Sequence, residues 1–318
     1  MPSLVGRSRI DTRSVDLYLP VANLSVNALV IVLLGGGVGL LSGMFGVGGG
    51  FLTTPLLIVY GIPPTVAAAS SASQVTGASG SGVFAHVRRG GVDFKMGGVL
   101  VAGGILGTFA GAWIFLLLQQ QGQIDTVIAI IYVLMLGSIG GLMAKESLVA
   151  IGLARRGQPP RAAKRRHHPL VAALPFRTRF YASGLYISPL APLLLGFATG
   201  MLTILLGIGG GFILVPAMIY LIGMATGVVV GTSLFQTLFV TAVATMVHAT
   251  TTRAVDIVLA ALLLVGSVVG AQVGARLATK VKPEYLRLAL ALMVLAVGVR
   301  ILLGLVWRPE EIFTVTIS

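Results

Sequence analysis

Two long stretches of this chain carry no Asp, Glu, Lys or Arg: Leu17 to Val87, and Phe180 to Thr252. An ordinary soluble domain has about one charged residue in four, so neither stretch can supply a water-facing surface. Each is long enough for several membrane crossings at about 20 residues per span. Shorter charge-free runs follow from Met96 to Ile124, Thr126 to Ala144, Ile257 to Ala275 and Leu288 to Val299. Composition agrees, with 56% hydrophobic side chains, 10% charged and 43 glycines. A water-soluble enzyme is excluded, and the expected fold class is an all-α polytopic membrane protein. The absence of cysteine removes disulfides, thiolate metal sites and cysteine nucleophiles. The net charge of +13 sits in short basic runs beside apolar segments, as positive-inside topology dictates. Nucleic acid is therefore not an expected partner. The lipid bilayer is.

Each long block has its own punctuation. Asn27 to Gly46 is a full-length apolar span, followed by a glycine tract and then by Phe51 to Gly61, too short to cross as a straight helix. Pro63-Pro64 ends that segment, because proline lacks an N–H and restricts the residue before it. Thr65 to Val87 is again of span length. The second block repeats the order: Pro189 to Gly207, a glycine tract, Phe212 to Met224, then Ala225 to His248. The expected organisation is an N-terminal tail (1–26), a first membrane repeat (27–144), a basic linker (145–186), a second repeat (187–307) and a C-terminal tail (308–318). The start is not a usual signal peptide, since Asp11 and Asp16 interrupt its basic residues and the apolar run continues into the protein.

The halves can be laid over each other. Gly39, Ser42 and Gly46 match Gly200, Thr203 and Gly207; Gly48-Gly49-Gly50-Phe51 matches Gly209-Gly210-Gly211-Phe212; Pro55 matches Pro216, all at one offset. After one residue of slip, Ser70, Ser71, Gln74 and His86 fall on Thr232, Ser233, Gln236 and His248. After one more, Asp93 meets Asp256, and Gly103, Gly107 and Gly111 meet Gly266, Gly270 and Gly274. Chance does not keep so many Gly, Pro, Gln and His positions in register. Duplicated membrane folds with broken, glycine-interrupted segments at matching positions are typical of secondary transporters, whose site lies at mid-membrane between the repeats.

The pattern G-x-x-S/T-x-x-x-G-x-G-G-G-F-x-x-x-P, followed by a Ser-rich helix, a basic loop and Val-Asp before the next span, resembles the TauE/SafE family of sulfite and organosulfonate exporters. The likeness covers roughly Ala28 to Leu118 and Pro189 to Val306. The first half departs from the second in having Ala69-Ser70-Ser71 where the second has Gly231-Thr232-Ser233. The resemblance implies export of a small sulfur-containing anion, an organosulfonate such as sulfoacetate, or sulfite.

The residues themselves allow a functional and a plain structural reading. Gly48, Gly49 and Gly50, like Gly209, Gly210 and Gly211, can release backbone from helical geometry. The short helices that follow then present N–H groups without intrahelical partners, an end that favours anions; the alternative is close packing at a kink. Ser70, Ser71 and Gln74, with Thr232, Ser233 and Gln236, are donors on consecutive turns that can line an oxyanion site or bond between helices. A glutamine must in either case face protein or water. His86 and His248 are candidates for proton coupling, although an interfacial place at the cytoplasmic end of each helix is the simpler expectation. Asp93 and Asp256 read as helix starts. Gly107-x-x-x-Gly111 and Gly270-x-x-x-Gly274 permit close helix approach, inside the monomer or at the seam of a homodimer. No cofactor, metal cluster or ATP-binding motif is expected.

Two topologies fit these segments. If the short segments are re-entrant, each half has about four full spans and the halves are parallel; if they cross, each half has five and the halves are inverted. Lys/Arg counts hardly separate the two, and both put the linker in the cytoplasm. Segment length inclines toward the re-entrant form. The expected function is a secondary transporter of the cell (inner) membrane, exporting such an anion by alternating access about a site between the glycine tracts. A proton-coupled importer or a channel for another small anion is the alternative. A membrane-embedded enzyme is disfavoured, because no nucleophile–base or metal-ligand cluster lies within the spans.

Overall fold

The computed structural model describes residues 16–45, 50–155, 175, 177–224, 226–278 and 283–306. Gly46, Gly48 and Gly49 of the first tract lie outside the described residues, as do most of the basic linker and both chain ends. The first half comprises a hairpin of β1 (Asp16–Leu19) and β2 (Leu24–Asn27), then α1 (Ala28–Phe45), α2 (Gly50–Tyr60), α3 (Pro64–Arg88), α4 (Phe94–Gln120) and α5 (Ile124–Arg155). The second opens with a hairpin of β3 (Thr178–Phe180) and β4 (Leu185–Ile187), then α6 (Leu190–Leu206) and α7 (Gly211–Ala217), which runs on as a π turn to Ile222. It continues with α8 (Thr226–Val247), whose π turn reaches Thr252, then α9 (Ile257–Ala278) and α10 (Pro283–Val306). Among the described residues, α4, α5, α8, α9 and α10 contain segments long and apolar enough to cross a bilayer. The protein is an all-α multi-pass membrane protein with two small hairpins. Those hairpins fall where the sequence suggests a tail and a linker, and α5 runs past Lys145 to Arg155.

The first helix of each half packs on the fourth helix of the other, with backbones almost touching. A Cβ on Gly107 in α4 would lie 1.9 Å from the carbonyl oxygen of Phe197 in α6, and one on Gly270 in α9 would lie 2.0 Å from that of Gly36 in α1. Only glycine admits this approach. The Gly-x-x-x-Gly motifs therefore work inside the monomer. Their contacts advance together (Gly103 on Leu193, Gly107 on Phe197, Gly111 on Met201), so α4 and α6 run parallel. Corresponding helices instead run antiparallel. In the α3–α8 pair Ser73 meets Thr245 at 3.4 Å and Thr76 meets Thr241 at 2.8 Å.

Two apolar clusters cap opposite ends of the bundle. One gathers Leu19, Leu57, Ile62, Ala67 and Leu259; the other gathers Phe180, Met218, Ile222, Met96 and Val229. A third cluster, which includes Phe51 and Phe212, lies between them. Thus α2 leads from the middle to one end, and α7 from the middle to the other. This is the geometry of inverted halves, and it departs from the re-entrant, parallel arrangement that segment length alone suggests. In the second half, the tract from Gly207 to Gly210 leads from the end of α6 to the start of α7.

Interlocking polar contacts hold the two ends. Asp93 caps the Met96 amide at 3.0 Å and accepts from the Ser183 amide of the second hairpin at 3.0 Å. Asp256 caps Val258 and Leu259, each at 3.1 Å, and accepts from the Val21 amide of the first hairpin at 3.3 Å. Both aspartates are helix starts, and each also clasps the hairpin of the opposite half.

Candidate functional site

The second tract shows why glycine is required there. Gly207, Gly209 and Gly210 have φ of 69°, 74° and 74°, a left-handed conformation that other residues rarely adopt. Space is as restrictive as torsion. A Cβ on Gly207 would meet the Ala68 carbonyl oxygen at 2.2 Å, and one on Gly209 would meet the Val75 side chain at 2.6 Å. The Thr237 hydroxyl donates to the Gly209 carbonyl at 2.7 Å and fixes the tract. From the first tract the described residue is Gly50, whose Cβ would lie 2.6 Å from the Ile208 carbonyl oxygen. The tracts therefore meet. Phe51 and Phe212 stack beside them with ring centroids 4.1 Å apart and planes within 1°. The starting ends of α2 and α7 thus come together at mid-thickness, with their positive dipole ends turned inward.

Around this junction lie buried polar groups with few partners. Among the described residues, Gln74, 1% exposed, has no hydrogen-bond partner for its amide oxygen or its nitrogen. Gln236 is fully buried; its Nε2 reaches the Thr199 hydroxyl at 3.4 Å, and its Oε1 has no partner among the described residues. Ser71 is buried, and its hydroxyl likewise has none among them. Leaving such a group unmade costs about 1–3 kcal/mol each. Ser233 is buried on the same turn as Thr232.

Ser70 and Thr232 are engaged elsewhere. The Ser70 hydroxyl accepts from the Asp256 amide at 3.1 Å, and the Thr232 hydroxyl accepts from the Asp93 amide at 2.9 Å. The two bonds are counterparts, and they tie each Ser/Thr-bearing helix to the helix start of the opposite half. The structure brings Gly50 to Ile208 and Val75, and it sets Thr199 against both Gly210 and Gln236.

The histidines sit at opposite ends of the bundle, because α3 and α8 are antiparallel; the shared cytoplasmic end expected from sequence does not hold. His86 is half-buried and pairs through Nδ1 with the Gly82 carbonyl at 3.0 Å. His248 is fully buried, with Nε2 on the Ile204 carbonyl at 2.8 Å and Nδ1 on the Thr252 hydroxyl at 3.1 Å. A carbonyl only accepts, so Nε2 carries the proton. The Phe115 ring meets the imidazole edge-on at 5.0 Å. Among the described residues, neither histidine hydrogen-bonds to a tract glycine.

Sequence reasoning missed Thr199 and Thr237. A Cβ on Gly210 would lie 3.1 Å from that of Thr199, which therefore sits between the tract and Gln236. The signal was available in the overlay, where Thr199 and Thr237 fall on Val38 and Val75. Among the described residues no group of His, Asp and Glu is placed to hold a metal.

Comparison with known proteins agrees with this architecture. Residues 31–301 match the family described as Sulfite exporter TauE/SafE. The chain is 30% identical over 276 residues to the Probable membrane transporter protein YjnA of Bacillus subtilis (strain 168), covering 86% of this chain and 98% of that one. A Probable membrane transporter protein of Xylella fastidiosa (strain 9a5c) is 29% identical over 290 residues, covering 90% and 97%. No solved structure matches the chain. With a match over most of its length, this chain belongs to the TauE/SafE family of membrane transporters.

Proposed function

We propose that this protein is a secondary transporter exporting a small sulfur-containing anion, an organosulfonate such as sulfoacetate, or sulfite, by alternating access about the junction of its glycine tracts. The observation that carries the reading is the pair of buried glutamines with unmade hydrogen bonds at that junction. Gln74 Nε2 and the Ser71 hydroxyl have donors to give. Gln236 Nε2 is held by a 3.4 Å contact, long enough to be exchanged for a charge-assisted one. A sulfonate or sulfite group has several oxygens, so it can take these donors together with amides at the starts of α2 and α7. Neutral donors suit a carrier, which must release what it binds. A buried lysine would hold the anion more tightly and add a charge to move.

Inverted halves supply the two alternative states. When corresponding elements exchange their arrangements, a path open on one side becomes a path open on the other, while the junction stays in place. On this reading the protein lies in the cell membrane with its basic linker in the cytoplasm, where loops rich in Lys/Arg are retained. It carries no catalytic role. Labelled sulfoacetate or sulfite in proteoliposome counterflow tests the proposal: exchange without a chemical product is expected, and product formation would put an enzyme in its place. Absence of exchange for every sulfur oxyanion, with exchange of a simple carboxylate or chloride, would reassign the cargo.

A further inference from the structure

A cavity of about 300 Å³ lies at the end of the bundle away from the linker, between the last turns of α2, the start of α5 and the end of α10. Arg300 and Asp125 both line it, yet they form no ion pair with each other among the described residues. Arg300 sits inside the apolar stretch Leu288–Val306, where a guanidinium is retained only with a partner or a route to the interface. Its side chain lies along its own helix beside Gly304, where a Cβ would be 3.7 Å from Nη1. Asp125 uses one carboxylate oxygen, Oδ1, to accept from the Thr65 amide at 3.1 Å, and the other has no partner among the described residues. The rest of the wall is apolar, with Ile58, Val59, Ile301 and Leu305.

A cation and an anion held apart by a small cavity fit one molecule that carries both charges and an apolar tail. We propose that this cavity binds the headgroup of a phosphatidylethanolamine from the surrounding leaflet, with the phosphate at Arg300 and the ammonium at Asp125. The apolar wall and the exposed neighbours Val59, Leu302 and Leu303 argue for a lipid over a free zwitterion, since they give the acyl chains a surface to follow. The molecule contains its own comparison. At the opposite end a cavity of about 510 Å³ lies against α7, where Ile219 and Tyr220 stand in the places of Ile58 and Val59. Among the described residues its lining includes Glu146 and no cation. This inference stands apart from the central anion site.

The test is lipid binding to the purified full chain, read by native mass spectrometry and by the shift in thermal midpoint. Phosphatidylethanolamine, phosphatidylcholine and phosphatidylglycerol are titrated side by side. The wild type is expected to prefer the ethanolamine lipid over phosphatidylcholine, whose methylated ammonium has no N–H for Asp125, and over phosphatidylglycerol, which has no cation. Arg300→Gln should weaken ethanolamine-lipid binding tenfold or more, and Arg300→Lys should restore part of it. Asp125→Asn keeps an acceptor for the Thr65 amide and should remove the preference over phosphatidylcholine. Equal binding of all three lipids by the wild type would overturn the proposal without reference to any variant. So would an Arg300→Gln protein that binds like the wild type. Competition by soluble phosphoethanolamine as strong as by the lipid would replace the lipid with a free zwitterion, which overturns the assignment made here.

Discussion

Gln74 and Gln236 occupy the same place in the two halves, yet their surroundings differ. Gln236 has Thr199 to hold its amide and Thr237 beside it to fix the glycine tract. Gln74 has no partner among the described residues, and the overlay puts Val38 and Val75 at the corresponding positions. The histidines divide in the same way, His248 locked by two bonds in the interior and His86 half-buried with one. The scaffold is duplicated, and the polar chemistry is not. A duplicated backbone can supply two mirrored access routes while one half holds the site in shape and the other leaves its donors free.

The largest effect should come from the holding side. Gly210→Leu forces a branched side chain into a φ of 74° and against Thr199. Anion binding by the folded protein should fall more than a hundredfold in isothermal titration, and unchanged affinity would remove the tract from the site. Next come the glutamines. Gln74→Leu and Gln236→Leu should each lose roughly ten- to a hundredfold in affinity, as expected for one charge-assisted hydrogen bond of about 1.5–3 kcal/mol. Stability separates the two. Replacing Gln74 removes two unmade buried groups, so the empty protein should gain in thermal midpoint while it loses binding. Gln236→Leu should leave the midpoint level or slightly lower, because its contact with Thr199 is lost. Two glutamine variants with wild-type affinity would sink the central site.

Smaller effects sharpen the histidine contrast. His248→Phe removes two hydrogen bonds and leaves the Ile204 carbonyl unmade, which should destabilise the protein by about 1–3 kcal/mol in denaturant unfolding. His86→Phe should stay within about 0.5 kcal/mol, the range of half-exposed positions. A reversed order would mean that the burial difference is irrelevant. Smallest of all, deletion of residues 156–166 from the basic linker should leave anion affinity unchanged, since that segment belongs to neither half. A large loss would place the linker on the substrate path.

Much of this was legible in the sequence, and what was not has definite reasons. The charge-free blocks announced the membrane, because hydrocarbon excludes charge wherever the chain goes. Gly207, Gly209 and Gly210 stood out because tight backbone approach and positive φ leave no substitute for glycine. Helix direction was not legible. A segment as short as α7 reads as too short to cross, and spacing alone does not show the turn of backbone at Gly207, Gly209 and Gly210 that precedes it. The hairpins at Asp16–Asn27 and Thr178–Ile187 were hidden because strands of three or four residues leave little periodicity. Sequence spacing gives the helical face of Ser70 but not the Asp256 amide of the other half, which donates to its hydroxyl.

The exchange of first and fourth helices also sets an order on how the protein must be made. Among the described helices α1 is made first, and its glycine face, which includes Gly35, Gly36 and Gly39, fits α9, which leaves the ribosome much later. Until then its flat face has only lipid or an insertion factor to lie against. α4 has a shorter wait, for α6 to follow the linker. Neither half can reach its final packing as a separate product, so truncation after the linker should yield an inserted but unassembled fragment. Two half-chains made together remain able to interlock, one in each orientation. In that sense the molecule is an antiparallel pair that one linker has made permanent.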